Sequence, residues 1–113
     1  MRIIIEAVPR AQMRYDTLGD WFQDGEDLRI QVADRITPDE QFLIALHEIV
    51  EVKLCIMHGV GQQQVDAFDF SFSGEGEPGD HPAAPYRKEH RQAALIEHMM
   101  ASFMGLDSYG VVA

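Results

Sequence analysis

TPDEQFLIALHEIVEVKLCIMHG, residues 37–59, is the stretch that decides the fold. Thr37 stands at an N-cap position, Pro38 at the first helical position, and Glu40 three residues after the threonine, which together make a capping box. Gly59 and Gly61 supply the stop, because glycine accepts the left-handed conformation that closes helices, so a helix is predicted to run to about His58. Phe42, Leu46, Ile49, Val50 and Met57 form an apolar stripe that Leu43, Ile44 and Leu54 widen, which implies burial on more than one side. The same helix carries His47, Glu48 and Glu51, and polar groups on so apolar an element need partners.

Upstream, Arg2 to Val8 is rich in β-branched residues and is stopped by Pro9, the pattern of a short strand. Tyr15 to Phe22 and Leu28 to Val32 flank the turn-like Gln23-Asp24-Gly25-Glu26, and a β-hairpin follows from that arrangement. Trp21 is expected to pack in the core. Downstream, Gln62 to Ala84 reads as a long polar excursion, of the kind that often lines a functional site. A second helix is predicted from near Pro85 to Met104, stopped by Gly105. The sum is an α+β fold in one domain, 1–113, with a small N-terminal β-sheet (strand plus hairpin) packed with two main α-helices.

Nine basic against nineteen acidic side chains give a net charge of −10, which repels phosphate backbones and anionic membrane surfaces. Direct nucleic-acid binding and membrane association are therefore excluded as expectations, and a cationic ligand is favoured. A lone Cys55 fits a reducing compartment, and Glu6 interrupts the only apolar run near the N-terminus, so cytoplasmic residence is expected.

His47-Glu48-Ile49-Val50-Glu51 has the form of the HExxH metalloprotease signature with its second histidine replaced by glutamate. Residues 47 and 51 fall on one helical face, one turn apart, and a carboxylate oxygen binds zinc at a distance similar to an imidazole nitrogen. The intervening Glu48 is then placed as general base. Cys55 and His58 share that face. His58 lies roughly 16 Å from His47 by helical rise, too far to join one metal, and Cys55 reads as a small buried apolar residue.

A third ligand has to come from elsewhere, and the second helix offers His90 and Glu97 on the face carrying Ala93, Ala94, Ala101 and Met104. His98 shares its side with Arg87, Arg91 and Ser102 and is expected in solvent. His90 and Glu97 are about 10 Å apart along the axis, so one ligates and the other supports. His90 is favoured as ligand because it completes a His2Glu set, with Glu97 either orienting a ligand histidine or itself the ligand. Asp66, Asp69, Asp80 and His81 read as turn-forming or solvated residues, with His81 a fallback ligand. Tyr86 could donate to an oxyanion.

Strand, hairpin, HExxE helix, excursion and Glu-bearing helix together resemble the small zincin-like domains, in particular the minimal gluzincin metallopeptidases of phage or prophage type. The resemblance rests on Ala45-Leu46-His47-Glu48-Ile49-Val50-Glu51 and on Glu89-His90 through Ile96-Glu97. It implies zinc or another divalent metal as cofactor, His47 as metal ligand, Glu48 as catalytic general base, His90 or Glu97 as the remaining ligand, and a peptide or protein substrate. Glu51 departs from the family's histidine.

Three functions compete. The first is a zinc-dependent peptidase or amidase, and the second a non-catalytic acidic interaction protein of phage origin in a host cytoplasm. The third is a magnesium-dependent NTP pyrophosphohydrolase using Glu48, Glu51 and Glu97, which would be all-α and is opposed by the predicted strands.

Overall fold

A computed structural model describes residues 1–109. Strands β1 (Ile3–Val8), β2 (Gly19–Asp24) and β3 (Asp27–Ala33) form one sheet in the order β1-β3-β2. Helices α1 (Pro38–Met57), α2 (Gln62–Ser71) and α3 (Arg87–Phe103) follow. This is the α+β architecture read from the sequence, with one helix more than expected.

The hairpin closes over Gly25-Glu26, with Asp24 opposite Asp27 and Trp21 opposite Ile30. β1 joins the other side of β3 in parallel, Ile5 opposite Ile30, so β3 is central. Its Leu28, Ile30 and Val32 are buried under α1 together with Trp21, Val52 and Cys55. The first hairpin strand starts at Gly19, four residues later than predicted. Thr17 closes a local turn through its hydroxyl, which accepts from the Gly19 amide at 3.3 Å, while Arg14 and Tyr15 extend their side chains to Asp66 and Asp69 of α2.

The capping box of α1 forms as predicted: Glu40 N donates to Thr37 Oγ1 at 3.1 Å, and Thr37 N to Glu40 Oε1 at 3.1 Å. The helix closes at Gly59, with Val60 N donating back to Cys55 O at 2.9 Å. Gly61, expected to reinforce that stop, instead begins α2, its amide bonded to Gln64 Oε1 at 3.0 Å. The polar excursion is thus a helix over its first half, followed by a 3-10 turn at Pro78–Asp80. Three glutamines at its start hide an amphipathic element whose buried side is Val65, Phe68 and Asp69.

α3 packs against α1, and its fully buried Ala93 and nearly buried Ala101 permit the close approach that the alanine spacing implies. Gly19 permits another. A Cβ there would lie 2.5 Å from Ile44 Cγ2 and 3.2 Å from Glu48 Cγ, so α1 rests on the backbone of β2 at the turn that carries His47 and Glu48. Among the described residues no helix is long and apolar enough to cross a membrane.

Candidate metal centre

His47 and Glu51, one turn apart on α1, converge with His90 of α3. His47 Nε2 is 3.0 Å from Glu51 Oε2 and 3.2 Å from His90 Nδ1, and His90 Nδ1 is 2.9 Å from the same Glu51 oxygen. Ligands on a tetrahedral zinc with bonds of about 2.0–2.1 Å stand roughly 3.3 Å apart, so this triangle is within a few tenths of an ångström of one face of such a site. All three residues are at most 8% exposed. Among the described residues this is the one group of three whose donor atoms could hold a metal ion.

The outer hydrogen bonds set what the inner atoms can do. His47 Nδ1 faces Glu97 Oε1 at 2.7 Å, which assigns the ring proton to that nitrogen and leaves the Nε2 lone pair aimed inward. His90 Nε2 faces Asp80 Oδ1 at 3.3 Å, a longer contact with the same consequence for Nδ1. With both imidazoles neutral, two lone pairs and a carboxylate oxygen meet with no donor between them, which a buried site tolerates only around a cation.

That cation is either a metal or protons carried by the rings. Burial lowers the His47 pKa, but hydrogen bonds to Glu51 and Glu97 more than reverse this and bring it to about 11. His90 moves up for the same reason, with burial opposed by its bond to Glu51. Glu51 is held down at about 2, burial being outweighed by the two imidazoles.

The two oxygens of Glu51 are used separately. Oε2 completes the trio, while Oε1 accepts the Trp21 indole N–H at 3.0 Å. His90 is pinned by Gly79, where a Cβ would fall 2.4 Å from its Cγ, so the 3-10 turn lies directly on the imidazole. Glu97 stands outside the trio. Its Oε1 takes the far nitrogen of His47 and its Oε2 accepts the Tyr109 hydroxyl, the geometry of the first of its two expected roles, orienting a histidine, and not of a fourth inward donor.

Glu48 lies beside the trio, buried, with Oε2 3.9 Å from His47 Nε2, and makes no side-chain hydrogen bond among the described residues. Burial first, then the charge of Glu51, push its pKa well above the usual carboxylate range.

Several other sequence expectations change. Tyr86 donates its hydroxyl to Asp69, so it is committed to a structural bond and is not free to serve an oxyanion. Asp69 is buried between Tyr86 and Tyr15, and Asp66 pairs with Arg14 at 2.9 Å, so neither is a solvated turn residue. Asp80 is solvent-facing but touches His90. His81 stacks near Phe68 and Phe72 and is no part of the trio. Cys55 is fully buried, its thiol pushed up to about 12 by burial, which fits a packing role. His98 is exposed as expected, and His58 pairs with buried Glu89 at 2.6 Å. Trp21, Gly79 and Tyr109 join the site without any motif that assigns them to it, and only the single Trp on a strand carries a signal of its importance.

No protein-family model, curated protein or solved structure matches the chain.

Proposed function

We propose that the protein is a zinc-dependent hydrolase of peptide or other amide bonds, built on a zincin-like frame. The observation that carries this reading is the convergence of His47 Nε2, Glu51 Oε2 and His90 Nδ1 with the buried carboxyl of Glu48 on the adjacent helical position. Two imidazoles and one carboxylate are a donor set suited to zinc, and nitrogen donors argue against magnesium or calcium. The three-stranded sheet likewise disfavours the all-α pyrophosphohydrolase.

Zinc held by these three residues would polarise a substrate carbonyl and acidify a water. The chain's own groups supply the rest. Glu48 is a stronger base than a solvated glutamate because burial disfavours its charged form, so it is suited to take a proton from the attacking water and return it to the leaving nitrogen. Glu97 holds the ring proton of His47 away from the metal side, and Trp21 keeps Glu51 from turning.

Metal analysis of the native protein beside His47→Ala tests the site, and Glu48→Gln tests the chemistry. Stoichiometric zinc in the native chain, its loss in His47→Ala, and loss of chelator-sensitive peptide hydrolysis in a Glu48→Gln variant that retains zinc are the expected results. A folded native protein that takes up no zinc at saturation overturns the reading. A second reading, an acidic interaction module of phage origin in a host cytoplasm, draws support from the charge of −10; it requires that Glu48→Gln leave function intact.

A further inference from the structure

We propose that Tyr109, in the segment after α3, is a positioning residue for the metal centre, acting on His47 through Glu97. The inference rests on the metal-binding reading of the trio. Beyond the end of α3, Gly105, with a φ of 79°, turns the chain back: Leu106 N donates to Ala101 O at 2.9 Å and Gly105 N to Ser102 O at 3.0 Å. A second turn, Tyr109 N to Leu106 O at 3.1 Å, brings the tyrosine alongside the helix it has just left. Its ring meets His98 edge-on at 5.8 Å, and its hydroxyl donates to Glu97 Oε2.

The consequence is a chain of three side chains running from the C-terminal segment to the trio. Tyr109 holds one oxygen of Glu97, and the other oxygen holds Nδ1 of His47, so the carboxylate has a single satisfied orientation. A Glu97 oxygen fixed against Nδ1 favours the Nδ1–H form of His47, the tautomer that leaves Nε2 free for a metal. Without the phenol, Glu97 can swing toward solvent, and the His47 ring is no longer held with Nε2 turned toward Glu51 and His90.

The test is Tyr109→Phe in the full chain, which keeps the ring contact with His98 and removes only the hydroxyl. Zinc affinity is read by chelator competition, and the His47 Nδ1–H is read by proton NMR of the zinc-loaded protein as its exchange rate with water. Loss of an outer hydrogen bond to a ligand histidine weakens metal binding by about 10–100-fold; Tyr109→Phe loosens Glu97 without removing it, so a loss at the lower end, about ten-fold, is expected, with faster exchange of the His47 ring proton. Combined with Glu97→Gln, the two changes should be markedly less than additive, because both cut the same chain. Unchanged zinc affinity and unchanged exchange in Tyr109→Phe overturn the inference while leaving the metal site intact. Failure of the unmodified chain to bind zinc overturns the metal reading and this inference with it.

Discussion

The indole N–H of Trp21 donates to Oε1 of Glu51 at 3.0 Å, and this bond ties the sheet to the α1 carboxylate that meets His47 and His90. Both residues are almost wholly buried, so neither atom has water as an alternative partner. Trp21→Phe therefore leaves Glu51 Oε1 unsatisfied and free to turn, and should cost about 1–3 kcal/mol of stability and about 10–100-fold in zinc affinity. Urea denaturation and chelator competition check the two effects separately. Because the chain has one tryptophan, the native protein should also report zinc uptake as a change in its fluorescence.

Gly19 is the second point where sheet and α1 meet. Since an added Cβ would lie 2.5 Å from Ile44 Cγ2 and crowd the Glu48 side chain, Gly19→Ala should displace α1 or its side chains. Overpacking of this kind costs about 1–3 kcal/mol. The expected signature is a lowered urea midpoint together with a larger fractional loss of hydrolysis than of zinc binding, because the added methyl presses on Glu48 and not on the ligand trio.

Much of this architecture is readable in residues 37–59, and the reason is local. A capping box, a closing glycine and a four-residue spacing that puts His47 and Glu51 on one face depend only on neighbours along the chain, and the structure realises each of them. His90 is within reach of the same reasoning because alanines at 93 and 101 imply a close helix approach. α2 escapes it because Gly61, which reads as the end of α1, begins the next helix, and because its glutamines dilute the apolar period. Trp21, Gly79 and Tyr109 reach the site only through tertiary contacts, with sequence separations from their partners of 30, 11 and 12 residues, and no local pattern encodes them.

The His58 to Glu89 pair clamps the C-terminal end of α1 to the first turn of α3, one residue before His90. Glu89 is 6% exposed at its side chain and His58 34%, so removing the histidine strands a nearly buried carboxylate. His58→Ala should destabilise the fold by about 1–3 kcal/mol, the range for an orphaned buried polar group. His58→Ala with Glu89→Gln should recover part of that loss. A double-mutant cycle by thermal or urea unfolding decides it, and additive single effects would show that the pair is uncoupled.

Asp69 gives the fold a pH dependence of its own. Burial pushes its pKa up to about 6, with Tyr86 and Tyr15 opposing as donors and Glu51 and Asp20 adding to the rise. An unfolded aspartate titrates near about 3.9, so the folded state binds the proton more tightly. The contribution is therefore fully present below about pH 4 and is lost as pH rises toward 6, amounting to about 2–3 kcal/mol. Asp69→Asn should flatten this part of the stability profile in chelator-treated protein, measured by urea unfolding at half-unit steps. Parallel profiles for the two proteins would refute the assignment.

Metal binding should itself depend on pH, in the opposite direction. In the metal-free fold His47, at about 11, carries a proton at neutral pH on the nitrogen that faces Glu51, and that proton must leave before the lone pair can ligate; the His90 pKa is also raised, its bond to Glu51 outweighing burial. Glu51, at about 2, is already ionised and releases none. Zinc affinity should then rise by at least about ten-fold per pH unit between about 6 and 8, one factor of ten for each proton displaced. Calorimetric titration in buffers of different ionisation enthalpy counts those protons directly. A pH-independent affinity with no proton release would mean that the ion binds away from His47, since its inward nitrogen cannot ligate without giving up the proton it holds.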